Sequence, residues 1–436
     1  MAATAHLRSL EVQAESTFGS PDSNGEVPAA SSFGGTWRGL ECERPSLAAF
    51  GEPAANEDMT VTDGFGGLPL EPNTAWATGG SVRLKREQGD ATYTAPLRGA
   101  LGSTAPLREL LASAFHVDSS GGGTVAVQAS PGTNAGQFNL LTSLKIGTLV
   151  MAEVDGRVEA ARVTDVTGAG PYTITVGTYF SRALTTNDTI YLGATYSVCT
   201  GANAGSVGSS VALRLADLQG TTLASGARQR VTRIYSENGQ IKIDGTVQCA
   251  FVRNDASSAG TVVNPTRSTG AVQHMRKVRP CYSAQAAPGK SASAGFSSTR
   301  NALPLNVEWE CVIEHTFAEV SGPDTIIGAS DLEITNTTVT LNMTTATWQS
   351  AVLNDMRDQN QRQIVLPAGP LVDGQSDASG FALVLSAGVL ANETGIRDLS
   401  GELIQQTLNF TLGRYDGDNG SETFNNAPVA FFIGEV

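Results

Sequence analysis

The chain has 436 residues, a formal net charge of −14 at pH 7, 48 glycines and only 16% charged residues. That length can bury a real core and implies two or three domains, or one domain with large insertions. The acidic balance excludes a protein that grips nucleic acid by its phosphates, which needs excess Lys and Arg on the contacting face, and the short aliphatic, Thr and Ser runs between glycines exclude a helix-rich fold.

From the N-terminus, Met1-Ala-Ala-Thr-Ala-His6 lacks the apolar stretch of a signal peptide, and no segment approaches the ~20 apolar residues of a membrane helix, so synthesis in the cytoplasm is expected. Residues 7–15 alternate, Leu10, Val12 and Ala14 against Glu11, Gln13 and Glu15, which predicts a half-buried strand. Phe18-Gly19-Ser20-Pro21 then turns the chain into an arm-like stretch to about Gly80, with short strands predicted around Trp37–Glu43 and Met59–Thr62. A helix is predicted over 104–115, where Pro106 suits a first turn and Leu107, Leu110, Leu111 and Ala114 share a face.

After Gly121-Gly-Gly123 a self-contained β-rich block is expected, with strands at Leu149–Val154, Ala160–Val166, Tyr172–Val176 and Thr189–Leu192. A hairpin follows: Arg230–Tyr235 and Gln240–Val252 joined through Glu237-Asn238-Gly239. Residues 253–302, rich in Ser, Ala and Gly, are expected to be a long loop carrying the basic run Arg276-Lys277-Val278-Arg279. Strands are predicted at Leu305–Ile313, Val339–Met343, Gln363–Pro367, Ala382–Ala387 and Ile404–Leu412, with a second helix over 346–361. The expected fold class is therefore all-β, mainly β with two flanking helices: a β-sandwich or barrel-like domain (1–120 and 206–436, including the loop 253–302) with a small β-domain inserted at 121–205.

Five widely spaced cysteines (Cys42, Cys199, Cys249, Cys281, Cys311) without a CxxC suggest neither a zinc site nor a disulfide framework. No GxSxG elbow, P-loop, HExxH or dinucleotide fingerprint occurs, and His6, His116, His274 and His315 have no ligand spacing. No catalytic residue, cofactor or metal is therefore expected, the alternative being an active site assembled from distant residues. Asp416-Gly-Asp418-Asn-Gly420 begins like a calcium loop, but Ser421 and Ala427 stand where its Gly and closing Glu belong. Asp416, Asp418 and Glu422 are instead taken as an acidic surface. Residues 221–300 carry 11 basic against 3 acidic residues, and 331–436 carry 4 against 13. Opposite-signed patches suit self-docking of identical subunits, and Arg276, Lys277 and Arg279 are the candidate contact cations; merely solvated faces are the alternative.

The run Leu10-Glu-Val-Gln-Ala-Glu15-Ser-Thr-Phe18-Gly19-Ser-Pro21 resembles the opening of major tail tube proteins of tailed phages and phage-like particles such as gene transfer agents. In the same order, Ala95–Gly102 with Pro106–Phe115 resembles the family's flanking helix, Ser225–Gly245 its central hairpin, 174–192 the extra β-segments of longer members and Leu403–Arg414 the closing strand. The resemblance implies two packed sheets, rings of six subunits stacked into the virion tail tube, and partners in the tape-measure, terminator and distal tail proteins. It also implies that dsDNA passes through the lumen unbound, repelled by an acidic wall and screened over ~8 Å. A double-domain subunit closing rings of three is the alternative geometry. The competing functions are a virion decoration or fibre protein and a carbohydrate-binding β-protein.

Overall fold

A computed structural model describes residues 8–19, 36–49, 89–99, 101–129, 134–199, 207–216, 220–255, 272–284, 300–303, 308–321, 329–345, 354–355, 357–370, 380–398, 405–413, 415 and 427–435. In chain order these form β1 (Ser9–Ala14), β2 (Arg38–Gly39), β3 (Glu43–Ala49), β4 (Gly89–Pro96), α1 (Pro106–Ala112), β5 (Phe115–Ser119), β6 (Thr124–Ala126), β7 (Gln137–Leu140) and β8 (Leu149–Val154). Next come β9 (Arg157–Thr167), β10 (Tyr172–Val176), β11 (Thr189–Tyr191), β12 (Gly193–Val198), β13 (Val211–Ala216), β14 (Thr221–Glu237), β15 (Gln240–Asp255), β16 (Gln273–His274) and β17 (Cys281–Ala284). The last are β18 (Glu308–Ser321), β19 (Ala329–Thr345), β20 (Gln361–Pro370), β21 (Phe381–Asp398), β22 (Gln405–Leu412) and β23 (Val429–Gly434). The protein is thus mostly β, with large antiparallel sheets.

β14 and β15 are the spine. They meet through Asn238 (φ 52°) and Gly239 (φ 79°), the two left-handed residues of a tight hairpin turn whose twist matches the strands. Along one edge, β14 pairs first with β13, through Thr221–Ala227, and then with β18, through Val231–Tyr235, the change falling at a bulge near Gln229. From β18 the pairing continues through β19, β22, β21 and β20, and returns to β15 by way of β16. Side branches β13–β1–β2, β4–β3 and β23–β12–β5 complete the body. Ile241, Ile243, Val247 and Cys249 of β15, Cys311 and Ile313 of β18, and Leu341 and Met343 of β19 all turn into one apolar core, the period-2 pattern legible in the sequence.

The inserted block is a six-stranded sheet in the order β6-β11-β8-β9-β10-β7, curled until Gln128 bridges Asn139. It leaves the body after Ser119 and re-enters at Gly193, on strands that are direct neighbours, Ser119 opposite Ala194. β12, within the 121–205 block by sequence, is therefore a strand of the body. Alternate residues of β8 and β9 face opposite ways: Val150, Ala152, Ala161 and Val163 fill the insert's own core, while Leu149, Met151 and Ala160 pack on Cys281, Val365, Val384 and Phe432 of the body. A strand buried on both faces is apolar throughout, which is why these segments lack alternation.

Several expectations change. β1 is buried on both faces: Arg214 covers Glu11, donating to its carboxylate at 2.7 Å, and itself lies over Trp37. The first helix is shorter than 104–115, ending at Ala112, because Phe115–Ser119 is committed to pairing with β12; Ser113 donates to the Leu110 carbonyl at 2.6 Å. Of the two flanking helices expected, α1 is the one described in full. The second, expected over 346–361, falls partly outside them; Asn354, Asp355, Arg357 and Asp358 are helical, Gln359 turns left-handed (φ 53°), and the backbone is strand from Gln361. The loop 253–302 contains β16 and β17, because Cys281 and Ser283 find a buried place beside β20. β3, β4 and β23 had not been assigned, and Met59–Thr62 lies outside the described residues.

Candidate functional site

The motif that opens the chain is built around Glu15, at the end of β1. Its carboxylate, 3% exposed, accepts hydrogen bonds from Gly19 N (3.1 Å), Gly226 N (3.0 Å) and the Ser210 hydroxyl. Desolvation pushes its pKa up to about 7, against the lowering effect of those donors and of nearby Arg228. Phe18 sits on Gly226, whose φ is 59° and where an added Cβ would lie 2.8 Å from the Phe18 ring and 2.9 Å from Ala250. Glu15, the aromatic and the following glycine thus fold the chain back onto β14 as one clamp.

The basic run divides. Met275 N donates to Gly239 O at 2.7 Å and Val158 N to Lys277 O at 2.8 Å, pinning a corner in which Lys277 is left-handed (φ 51°). Arg276 and Lys277 stand exposed on that corner, beside the β14–β15 turn. Arg279 turns inward instead. Its guanidinium donates at 2.6 Å to Glu159, which is 0% exposed and also accepts from Ser181 N at 2.9 Å; Arg300 approaches the same carboxylate at 3.5 Å. Arg162, likewise 0% exposed, crosses from β9 to the body: it donates to Ser386 Oγ (3.1 Å) and Ala427 O (2.8 Å) and lies over the Tyr415 ring. These groups bind the insert to the body. Asp416, Asp418 and Glu422 lie outside the described residues.

Beyond Val231, where its pairing with β14 stops, β18 runs on with β19 alone. Among the described residues, His315–Ser321 pairs only with β19 and 329–339 only with β18. Ser330, Glu333, Thr335, Asn336 and Thr338 are exposed on this edge, and no Lys or Pro interrupts it. Under the hairpin, Leu332 and Phe317 pack with Phe18, Ala250 and Phe251. Beside them opens a cleft of about 410 Å³, walled by 15–18, 207–210, Arg228 and 330–333. Arg228 donates to Asp331 at 2.8 Å and to the Ser113 and Gly208 carbonyls at 2.7 and 2.8 Å. Glu333 makes no ion pair among the described residues.

The sequence places Glu15 in the opening run and on the polar face of its strand, and gives no role to Arg228, Glu159, Arg162 or Arg300. The signal for Arg162 was present, a lone cation inside the apolar run Ala160-Ala-Arg-Val163; the others depend on partners far along the chain. Among the described residues the arrangement brings together a strand edge without a paired neighbour, a polar cleft and a rigid basic corner. Among the described residues, no group of His, Cys, Asp and Glu is placed to hold a metal, and no helix is long and apolar enough to cross a membrane. Cys42 is half-buried and the other four cysteines are buried; all are free. No protein-family model matches the chain, and no curated protein matches it.

Proposed function

We propose that this chain is a structural subunit that polymerises into the tail tube of a phage-like particle, as stacked rings around a lumen through which dsDNA passes unbound. The observation that carries this reading is the β18–β19 edge. Among the described residues this long edge, bulged at Thr316 and Val320, has no strand paired to it; such an edge is an aggregation hazard that monomers blunt with Lys, Pro or a covering element, whereas an assembling subunit uses it to join its neighbour. The anchored Glu15–Gly19 turn supports it too, since the run that resembles tail tube proteins forms one coherent device. The partners on this reading are further copies of the chain, with tape-measure, terminator and distal tail proteins at the ends.

Negative-stain electron microscopy of the concentrated protein tests the reading. Hollow tubes or stacked rings wide enough for a duplex are expected. Particles that stay monomeric even when seeded with a tail-initiation complex would turn the assignment toward a decoration, fibre or carbohydrate-binding protein.

A further inference from the structure

We infer that copies of this chain join head to tail, the Arg276–Lys277 corner of one entering the Asp331–Glu333 cleft of the next. The inference rests on the self-assembly reading above and names the surfaces that meet.

The two surfaces lie well apart along one element, the corner at the end of β14 and the cleft near its middle. The corner hangs on Gly239, at the turn that ends β14, while the cleft is held at Arg228 of the same strand. Nine residues separate Arg228 from Glu237, roughly 30 Å of strand at about 3.3 Å each. Two complementary patches held apart on one rigid element make a heterologous contact, which repeats from copy to copy without using itself up.

Each patch has its own opposite charges already engaged. Near the corner, Glu237 holds Lys242 at 2.7 Å and Asp155 holds Arg182 at 2.8 Å, and Arg276 makes no ion pair among the described residues. At the cleft, Arg228 and Asp331 are spent on each other and Arg228 also on two carbonyls, so the exposed Glu333 is the carboxylate left on the rim. Independently of charge, one side of the backbone of 330–333, which wall the cleft, is without a paired strand among the described residues, which suits a polypeptide occupant. The corner is pinned by three backbone bonds, Met275 to Gly239, Val158 to Lys277 and Arg279 to Val158, and so enters without an ordering cost.

The test uses three full-length variants compared with the unmodified chain by sedimentation and negative-stain microscopy: Arg276→Glu with Lys277→Glu, Ser330→Arg with Glu333→Arg, and all four together. All four positions are exposed, so folding is checked by an unchanged circular dichroism melt. Each pair alone should abolish sedimenting polymer, and the fourfold variant, whose charges are swapped on both patches, should restore it. Raising salt from 0.1 to about 1 M, which cuts the screening length from ~10 to ~3 Å, should lower the polymer yield of the unmodified chain. Tubes of unchanged yield from the Arg276/Lys277 pair would overturn this contact and leave the tube reading standing. Short head-to-tail stacks that follow the charge swaps but never close into tubes would support the contact and overturn the tube. A chain that stays monomeric throughout would overturn both.

Discussion

Glu15 and His315 are buried groups with opposite preferences. Burial raises Glu15 to about 7 and lowers His315, 1% exposed, to about 4. The folded chain therefore holds the Glu15 proton more tightly than the unfolded chain, and stability that is complete below about pH 4.5 is lost as pH rises through 7. For His315 the unfolded chain takes the proton first, so stability present above about pH 6.5 is lost as pH falls through 4. Each effect is worth about 3 kcal/mol at ~1.4 kcal/mol per pH unit, and they offset one another between them. Glu15→Gln should unmask His315: urea midpoints at pH 4.5 and 7 should nearly coincide in the parent and separate in the variant, lower at acid pH. Gly226→Ala should destabilise by about 2–4 kcal/mol, because it adds left-handed strain to a clash with Phe18 and Ala250, and chemical denaturation would report it.

At the level of elements, the hairpins were legible because their information is local. Two left-handed residues, Asn238 and Gly239, sit between strands that alternate every second residue, and turn and register follow. The apolar runs of β8 and β9 named strands without saying what lay on either side. Only the fold shows that one face makes the insert's core and the other grips the body. Across that seam Glu159→Ala would take the shared carboxylate from half-buried Arg279 and from buried Arg300, and a loss of about 2–3 kcal/mol in denaturant unfolding is expected. Residues 273–284 escaped assignment because short strands such as β16 and β17 carry too few residues for a period to show.

For the whole molecule, the proposed tube requires a lateral joint, and the edge left unpaired among the described residues is the candidate for it. Asn336→Lys with Thr338→Lys places two charges on exposed edge positions that bury nothing in the monomer. Monomer stability should change by less than about 0.5 kcal/mol while polymer yield collapses; tubes at parental yield would mean that another edge closes the ring.

What the sequence determined by itself was the class: strands, their faces, the hairpins, the separate β-rich block and the uneven distribution of charge, all carried by neighbours within a few residues. What the tertiary structure alone decided was which charges turn inward and which stay exposed. Glu15 meets Gly226 across 211 residues, Arg228 meets Asp331 across 103, and Arg279 meets Glu159 across 120. No periodicity encodes such pairings, because they form only where packing desolvates both partners together, and so Arg279 turns inward while Arg276 and Lys277, one turn earlier, stay outside.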